Sequence, residues 1–302
     1  MWSAVKKFLK WSALGSFAAL VLLAGFNWTL VQRLFLGGLP IYESTPPQLP
    51  AVLTRPAVLV FSKTNSYRHE QSIAAAGMLL KELAARKNLG YFATENGAAF
   101  SEDVLRHFDL VIFSNVTGDV LTPEQKTTFE TWLKNGGAFI GIHGAGDRSH
   151  KRWPRYVNDI IGAAFVEKAV YPPIQTATVR VDRADDSLTR GLPPSWQRVE
   201  EWYSFDRSVR TRGSQVLLTV DEKTYNPRGL WGQSIRMGAD HPVAWTHCFG
   251  NGRVFYTPFG HRGEAFSEPE VVTLLSNAID WSIAPVGACR SDGYQNPSSA
   301  RK

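Results

Sequence analysis

Three histidines far apart in the chain each follow an apolar run and sit at the start of a polar turn. His69 lies in Ser62-Lys63-Thr64-Asn65-Ser66-Tyr67-Arg68-His69-Glu70, His143 in Ile140-Gly141-Ile142-His143-Gly144-Ala145-Gly146-Asp147, and His261 in Pro258-Phe259-Gly260-His261-Arg262. The middle stretch is the most informative. An apolar strand that ends in one reactive side chain and then turns through small residues lifts that side chain out of a buried sheet. Such elbows often carry Ser or Cys. An imidazole there points to proton transfer or metal ligation rather than to a covalent acyl-enzyme. Asp147 follows at the same place and joins the catalytic candidates.

A second constellation is Glu200-Glu201-Trp202-Tyr203-Ser204-Phe205. Two acids before a run of aromatics form either a solvated turn or a carboxyl wedged beside rings, where burial raises its pKa and suits it to acid–base work. His143 and Glu201 are therefore expected to exchange protons with a substrate, while His69 and His261 orient it or hold a metal. His69, His143, His261 and Glu201 also make an N₃O donor set of the kind that binds Zn²⁺ or a similar divalent ion. No HxxxH or HxH spacing supports that set locally, so it rests on the three turns converging. No other cofactor is implied. His241 starts a strand on the same edge and is a further candidate. His247 falls at the far end and reads as structural, and His107 and His150 read as surface residues.

Elements that could bring these turns together are legible. Ala57-Val58-Leu59-Val60-Phe61, Tyr91-Phe92-Ala93-Thr94, Leu110-Val111-Ile112-Phe113 and Ala138 to Ile142 are short apolar runs, as strands buried on both faces require. Helical spacing runs from Ser72 to Asn88, Ser101 caps a short helix, and Thr122-Pro123-Glu124-Gln125 is a capping box with proline at the first helical position. This β-α-β-α order predicts a parallel sheet with helices on both faces, and such sheets gather their sites at the carboxyl ends of the strands. The second half is richer in strands: 176–181, 215–220, and a hairpin of 243–248 and 253–257 around a Gly-rich turn. Glu268 to Ile283 reads as a closing helix.

The 302 residues are 44% hydrophobic and 20% charged, ordinary for a globular chain, with a net charge of +6. The basic residues are scattered and form no nucleic-acid motif, so no nucleic-acid partner is expected. The first 36 residues differ. Lys6, Lys7 and Lys10 precede an uncharged stretch from Trp11 to Gln32, which as a helix would span about 33 Å. Residues 1–36 are expected to be an uncleaved signal-anchor, a single transmembrane helix in the inner (plasma) membrane with the bulk of the chain on the periplasmic side. Residues 37–55, rich in Pro and Gly, read as an extended linker. The folded domain is expected over 56–285 and a disordered polar tail over 286–302. The two cysteines, Cys248 and Cys289, are either separate core residues or, in an exported domain at one end of the sheet, a disulfide.

These motifs resemble the ThuA-like family, named for trehalose utilisation. The resemblance covers most of 57–284 and rests on Ser66-Tyr67-Arg68-His69, on Gly136-Gly137-Ala138-Phe139-Ile140-Gly141-Ile142-His143, on Glu200 to Phe205, and on His241 to His247 leading through Gly250-Asn251-Gly252 to Gly260-His261. It implies a flavodoxin-like sandwich similar to class I glutamine amidotransferases, an α/β fold with a mostly parallel central sheet. In those enzymes the elbow residue is a cysteine; His143 stands there in this chain, so glutaminase chemistry does not follow. The resemblance implies carbohydrate as the substrate, through cleavage or conversion of glycosides or keto-glycosides. Tyr67, Arg68, Trp202, Tyr203 and His241 are then the expected substrate-binding residues, with Trp202 and Tyr203 as a stacking face. The rival readings are a non-catalytic sugar-binding or scaffold module, and an amidotransferase relative using Cys248.

Overall fold

The computed structural model describes residues 41–284 without a break, together with Gly38, Leu39, Cys289 and part of the first 35 residues. In chain order the elements are α1 (Trp28–Phe35), β1 (Ala57–Phe61), α2 (Glu70–Arg86), β2 (Gly90–Thr94), α3 (Glu102–Leu105), β3 (Leu110–Ser114), α4 (Pro123–Lys134) and β4 (Ala138–Ile142). There follow β5 (Phe165–Lys168), β6 (Gln175–Val181), β7 (Ser195–Glu200), β8 (Tyr203–Phe205), β9 (Gln215–Val220), β10 (Pro242–Phe249), β11 (Gly252–Thr257) and α5 (Pro269–Ile283).

Period-2 alternation decides the layers. Val58 and Val60 of β1 join one apolar cluster, while Ala57, Leu59 and Phe61 join the other. β3 divides in the same way, with Leu110 and Ile112 on one face and Val111 and Phe113 on the other. A strand that is apolar on both faces must be covered twice. Helices α2 and α5 cover the first face through Leu80, Leu83, Leu274 and Ile279, and α3 and α4 cover the second through Leu105, Phe129 and Leu133. The second cluster is dominated by interlocking rings, among them Phe61, Phe100, Phe113 and Phe129. Each fully buried phenylalanine contributes roughly 1.5–3 kcal/mol. Helix α4 begins as expected, with Thr122 Oγ1 accepting from Gln125 N and Gln125 Oε1 accepting from Thr122 N.

The main sheet has the order β2-β1-β3-β4-β11-β10-β9-β6-β7. The first five strands are parallel, which is the flavodoxin-like order, and β10, β9, β6 and β7 continue the sheet antiparallel. Strands β1, β4 and β11 therefore deliver the turns bearing His69, His143 and His261 to one edge. After the reversals at β10, β9 and β6, β7 again points the same way, so Glu200 and Glu201 leave the sheet at that edge too. A two-stranded sheet of β5 and β8 lies beside it.

The expected transmembrane helix is corrected. Among the described residues no helix is long and apolar enough to cross a membrane. Helix α1 has eight residues, about 12 Å of rise. Much of the 1–36 segment, and the tail 286–302 apart from Cys289, lie outside the described residues. The proline-rich stretch is extended but lies against the domain. Lys63 Nζ donates to Ile41 O at 2.7 Å and pairs with Glu43, Glu43 also accepts from Gly97 N at 2.7 Å, and Leu49 and Leu53 pack on the second cluster. Cys248 and Cys289 form a disulfide across 41 residues, which removes Cys248 as a nucleophile and ties the chain after α5 to the edge opposite the histidines. His150, expected at the surface, is buried, and its Nε2 faces the carbonyls of Val116 and Gly144.

The β10–β11 hairpin packs against the end of α4 without room for a side chain. A Cβ on Gly252 would lie 2.0 Å from Leu133 O and 2.8 Å from Gly137 O. Both are backbone atoms and cannot swing away. Gly252→Ala is expected to cost about 3 kcal/mol, the upper part of the overpacking range, read as a lowered urea midpoint. A midpoint equal to that of the unmutated protein would refute the packing.

Candidate active site

His143 is the deepest member of the cluster. It has the left-handed backbone conformation, φ +47°, uncommon for a residue with a Cβ and typical of strained functional turns. It is held through both its ring and its backbone. Nδ1 donates to Pro258 O at 2.7 Å, and Tyr256 Oη donates to the His143 carbonyl at 2.9 Å. With Nδ1 carrying the proton, the Nε2 lone pair faces the cavity, where Tyr203 Oη donates to it at 3.0 Å. His69 and His261 close around it, with ring centroids 4.8 Å and 5.2 Å from that of His143 and 5.0 Å from each other.

The turn bearing His261 is held from β7 and α2. Glu200 accepts from Gly260 N at 2.8 Å and His261 N at 3.2 Å, and Arg198 pairs with Glu200 at 2.8 Å. Ser72 Oγ donates to Gly260 O and accepts from Asn115 Nδ2 at 2.7 Å, which joins the first turn of α2 to the turns after β3 and β11. Gly260 has φ +107°, and a Cβ there would meet Phe266 at 2.8 Å, so only glycine fits this joint.

Glu201 completes the set. His261 Nδ1 lies 3.3 Å from its Oε2, His143 Nε2 lies 3.6 Å from the same oxygen, and Lys168 holds Oε1. Burial pushes the His69 imidazole down to about 2, helped by the neighbouring His143 and His261. Burial likewise lowers His143 to about 4, against the opposing pull of Glu201. For Glu201, burial favours the neutral form, but the His261 hydrogen bond and the charges of His143, His261 and Lys168 outweigh it and hold the carboxyl at about 2. Asp147 goes the other way, raised by burial beside the same cavity.

These values change the expected division of labour. A general acid or base works best with a pKa near the operating pH. His143 at about 4 and Glu201 at about 2 are poor proton carriers at neutral pH, but both stay unprotonated there and keep their lone pairs free to ligate. His143 Nε2, His261 Nδ1 and Glu201 Oε2 are separated by 3.3, 3.3 and 3.6 Å. Tetrahedral ligands at zinc distances are about 3.4 Å apart. The His69 donor lies within 4.8 Å of the others, so it must move inward to share one ion, and its buried Nδ1 has no hydrogen-bond partner. The Nδ1–H donation of His143 to a carbonyl is the outer contact that metal-bound histidines usually make. The residues fit a divalent ion.

The cavity in front of the cluster has a volume of about 400 Å³ and includes Tyr67, Asp147, Lys168, Glu201, Tyr203 and His261 in its wall. A groove of about 940 Å³ lies at the other edge, by Asp109, Gly137 and Arg253. The smaller cavity is the candidate site, because the only metal-capable group among the described residues is there. Two substrate-binding expectations are corrected. Trp202 is buried in the first apolar cluster with Nε1 donating to Gln175 O at 2.8 Å, so it offers no stacking face. His241 is sealed, its nitrogens 2.8 Å from Glu222 and 2.7 Å from Tyr203 O, and it positions Tyr203 instead. Arg68 is engaged by Glu70 and Glu95. His247 is structural as expected, bonded to Asp159 O at 3.1 Å. Lys168 is the functional residue that local sequence does not reveal. It ends a four-residue strand, and its only sequence signal is a cation on an otherwise ordinary edge segment.

The fold and the site together define a three-layer α/β protein with an imidazole–carboxylate centre at the carboxyl edge of its parallel strands. The chain belongs to the ThuA family, described as trehalose utilisation, which it matches over residues 57–282. A ThuA-like protein from Bacteroides uniformis is 26% identical, with a TM-score of 0.66 over 82% of this chain and 96% of that one. Another, from Parabacteroides merdae, is 16% identical, with a TM-score of 0.57 over 79% of this chain and 99% of that one. A cytoplasmic protein from Salmonella typhimurium is 10% identical, with a TM-score of 0.51 over 74% of this chain and 98% of that one. The latter two likenesses show the fold alone. No curated protein matches the sequence.

The buried imidazoles make a pH prediction for the metal-free protein. An unfolded histidine titrates near 6.5 and folded His143 near 4. Between those values the unfolded chain takes up the proton first. The contribution is therefore complete above pH 6.5 and is lost as pH falls towards 4. Its limit is about 3 kcal/mol, at 1.36 kcal/mol per unit. Urea unfolding between pH 7 and 4 should show a shallower loss in His143→Asn, since asparagine tolerates the backbone angle. An identical slope in both proteins would rule His143 out as its source.

Proposed function

We propose that this protein is a carbohydrate-active enzyme acting on glycosides or keto-glycosides, with a divalent ion of the zinc type held by His69, His143, His261 and Glu201. The observation that carries the reading is the convergence of His143 Nε2, His261 Nδ1 and Glu201 Oε2 within 3.6 Å of one another at the floor of a cavity. The family description supports sugar as the substrate class. A bound ion of this type supplies a Lewis acid that polarises a sugar oxygen and lowers the pKa of water.

The protein's own groups provide the rest. The Pro258 carbonyl fixes His143 as the Nδ1–H tautomer and leaves Nε2 to ligate. Lys168 takes Glu201 Oε1 and leaves Oε2 turned towards the imidazoles. Asp147, with its carboxyl raised by burial, is the wall group suited to hold and pass a proton to a sugar oxygen. Tyr67, Tyr203 and Lys168 offer hydroxyl and ammonium groups to sugar hydroxyls. The Cys248–Cys289 disulfide favours maturation in an oxidising compartment.

The test is elemental analysis of the protein after Zn²⁺ loading and dialysis, paired with turnover of a panel of glycosides and their keto forms. One equivalent of metal is expected, falling below a tenth in Glu201→Gln and His261→Ala. Asp147→Asn should keep the metal and lower kcat by roughly 10²–10⁴-fold, the usual weight of a positioned proton carrier. Metal retained in both ligand variants would dismiss the centre. Metal and sugar binding without turnover would reduce the protein to a binding module.

A further inference from the structure

The residues around the cavity mouth hold more apolar surface than the chemistry uses. Seven large apolar side chains stand exposed between residues 53 and 284, and five of them are Tyr67, Val166, Tyr171, Leu230 and Trp231. Met78 and Val199 are the other two. Tyr67 belongs to the cavity wall, and Val166 follows the wall residue Phe165. Tyr171 stands in the chain between the wall residues Lys168 and Pro173. Leu230 and Trp231 are fastened to that segment: Tyr171 Oη donates to Leu230 O at 2.6 Å, Val170 N donates to Arg228 O at 3.0 Å, and Asn226 Nδ2 donates to Tyr171 O at 3.1 Å.

The loop that carries Trp231 is built to hold it out. Gly229 N donates to Gln233 O at 3.0 Å, Arg228 Nη1 to Gly232 O at 2.8 Å, and Trp231 N to Gln233 Oε1 at 2.9 Å. The indole is nonetheless 87% exposed. A hydrogen-bonded loop that keeps its largest ring in water forgoes the gain of burying it. Clustered exposed apolar surface beside a cavity marks a binding face.

We propose that Trp231 and Tyr171 form an outer stacking subsite for a second or later sugar ring of a glycan whose reacting ring occupies the cavity. The substrate class is then an oligosaccharide or polysaccharide end rather than a free monosaccharide. This rests on the carbohydrate reading above. Sugar rings present apolar C–H faces between polar edges. The half-exposed Tyr171 and the indole of Trp231 supply flat apolar surface, and Arg148 at the wall and Gln233 in the loop supply donors for hydroxyl edges. The occupant is a glycan, not a protein, because Tyr67 of this exposed set lines the polar cavity together with Asp147, Lys168 and Glu201, and Tyr171 stands in the chain between the wall residues Lys168 and Pro173.

The experiment is calorimetric titration of the full chain with α-1,4- and β-1,4-linked glucose hexasaccharides and with the corresponding methyl glucosides. The unmutated protein, Trp231→Ala and Asp147→Asn are compared. A hexasaccharide is expected to bind at least tenfold more tightly than its methyl glucoside, and Trp231→Ala to abolish that advantage while leaving methyl glucoside affinity within twofold. Asp147→Asn should retain the advantage, which separates binding at the rim from turnover in the cavity. Equal affinity for the long and short sugars, or a length advantage that survives Trp231→Ala, overturns the subsite and leaves the carbohydrate reading standing. No binding or turnover of any sugar overturns both.

Discussion

A carboxylate with 3% of its side-chain surface open to solvent keeps its charge only if cations and donors take the place of water. Glu201 is in that position, and its surroundings meet the demand from two directions. Lys168 reaches it from β5 and His261 from the turn after β11. Each partner belongs to a different part of the chain, so the charge of one residue draws the small β5–β8 sheet onto the edge of the main one. The other groups of the site are arranged around this ion.

The supports of the cluster are themselves buried. Glu200 fastens the Gly260–His261 turn, and Arg198 both pairs with Glu200 and stacks over Phe259 with 3.9 Å between guanidinium and ring centroid. His143 is fixed by the Pro258 carbonyl and the Tyr256 hydroxyl. The result is a deep wall of fixed donors, two of whose imidazoles resist protonation because water is absent, facing a cavity whose other wall carries a raised carboxyl at Asp147. Low-pKa nitrogens beside a low-pKa carboxylate suit an ion, whereas a raised carboxyl suits a proton. Burial lowers the imidazoles and raises Asp147, while the partners of Glu201 outweigh its burial, and the roles separate accordingly.

The two edges of the sheet do different work. The carboxyl edge carries the cluster, its left-handed His143 and the exposed rings beyond it. The amino edge carries the disulfide and the hairpin pressed on the end of α4. A fold that concentrates strain and buried charge at one edge needs the opposite edge and the two apolar layers to resist opening, and the interlocked rings under α4 supply that resistance.

Much of this was legible in the chain itself. Short β-branched apolar runs such as Ala57 to Phe61 read as strands covered on both faces, and the Thr122 capping box sets the start of α4 without tertiary help, because these signals depend on neighbours a few residues away. Parallel strands then oblige the turns at His69, His143 and His261 to share an edge. Local sequence could not tell Trp202 from Tyr203, since adjacent residues on an extended segment face opposite ways, one into the core and one onto His143. Nor could it reveal Lys168 or the sealing of His241 by Glu222, which are pairings across 33 and 19 residues. The sign of each pKa shift was equally out of reach. It depends on how much water remains at a point in space, and only the closed packing of distant segments determines that.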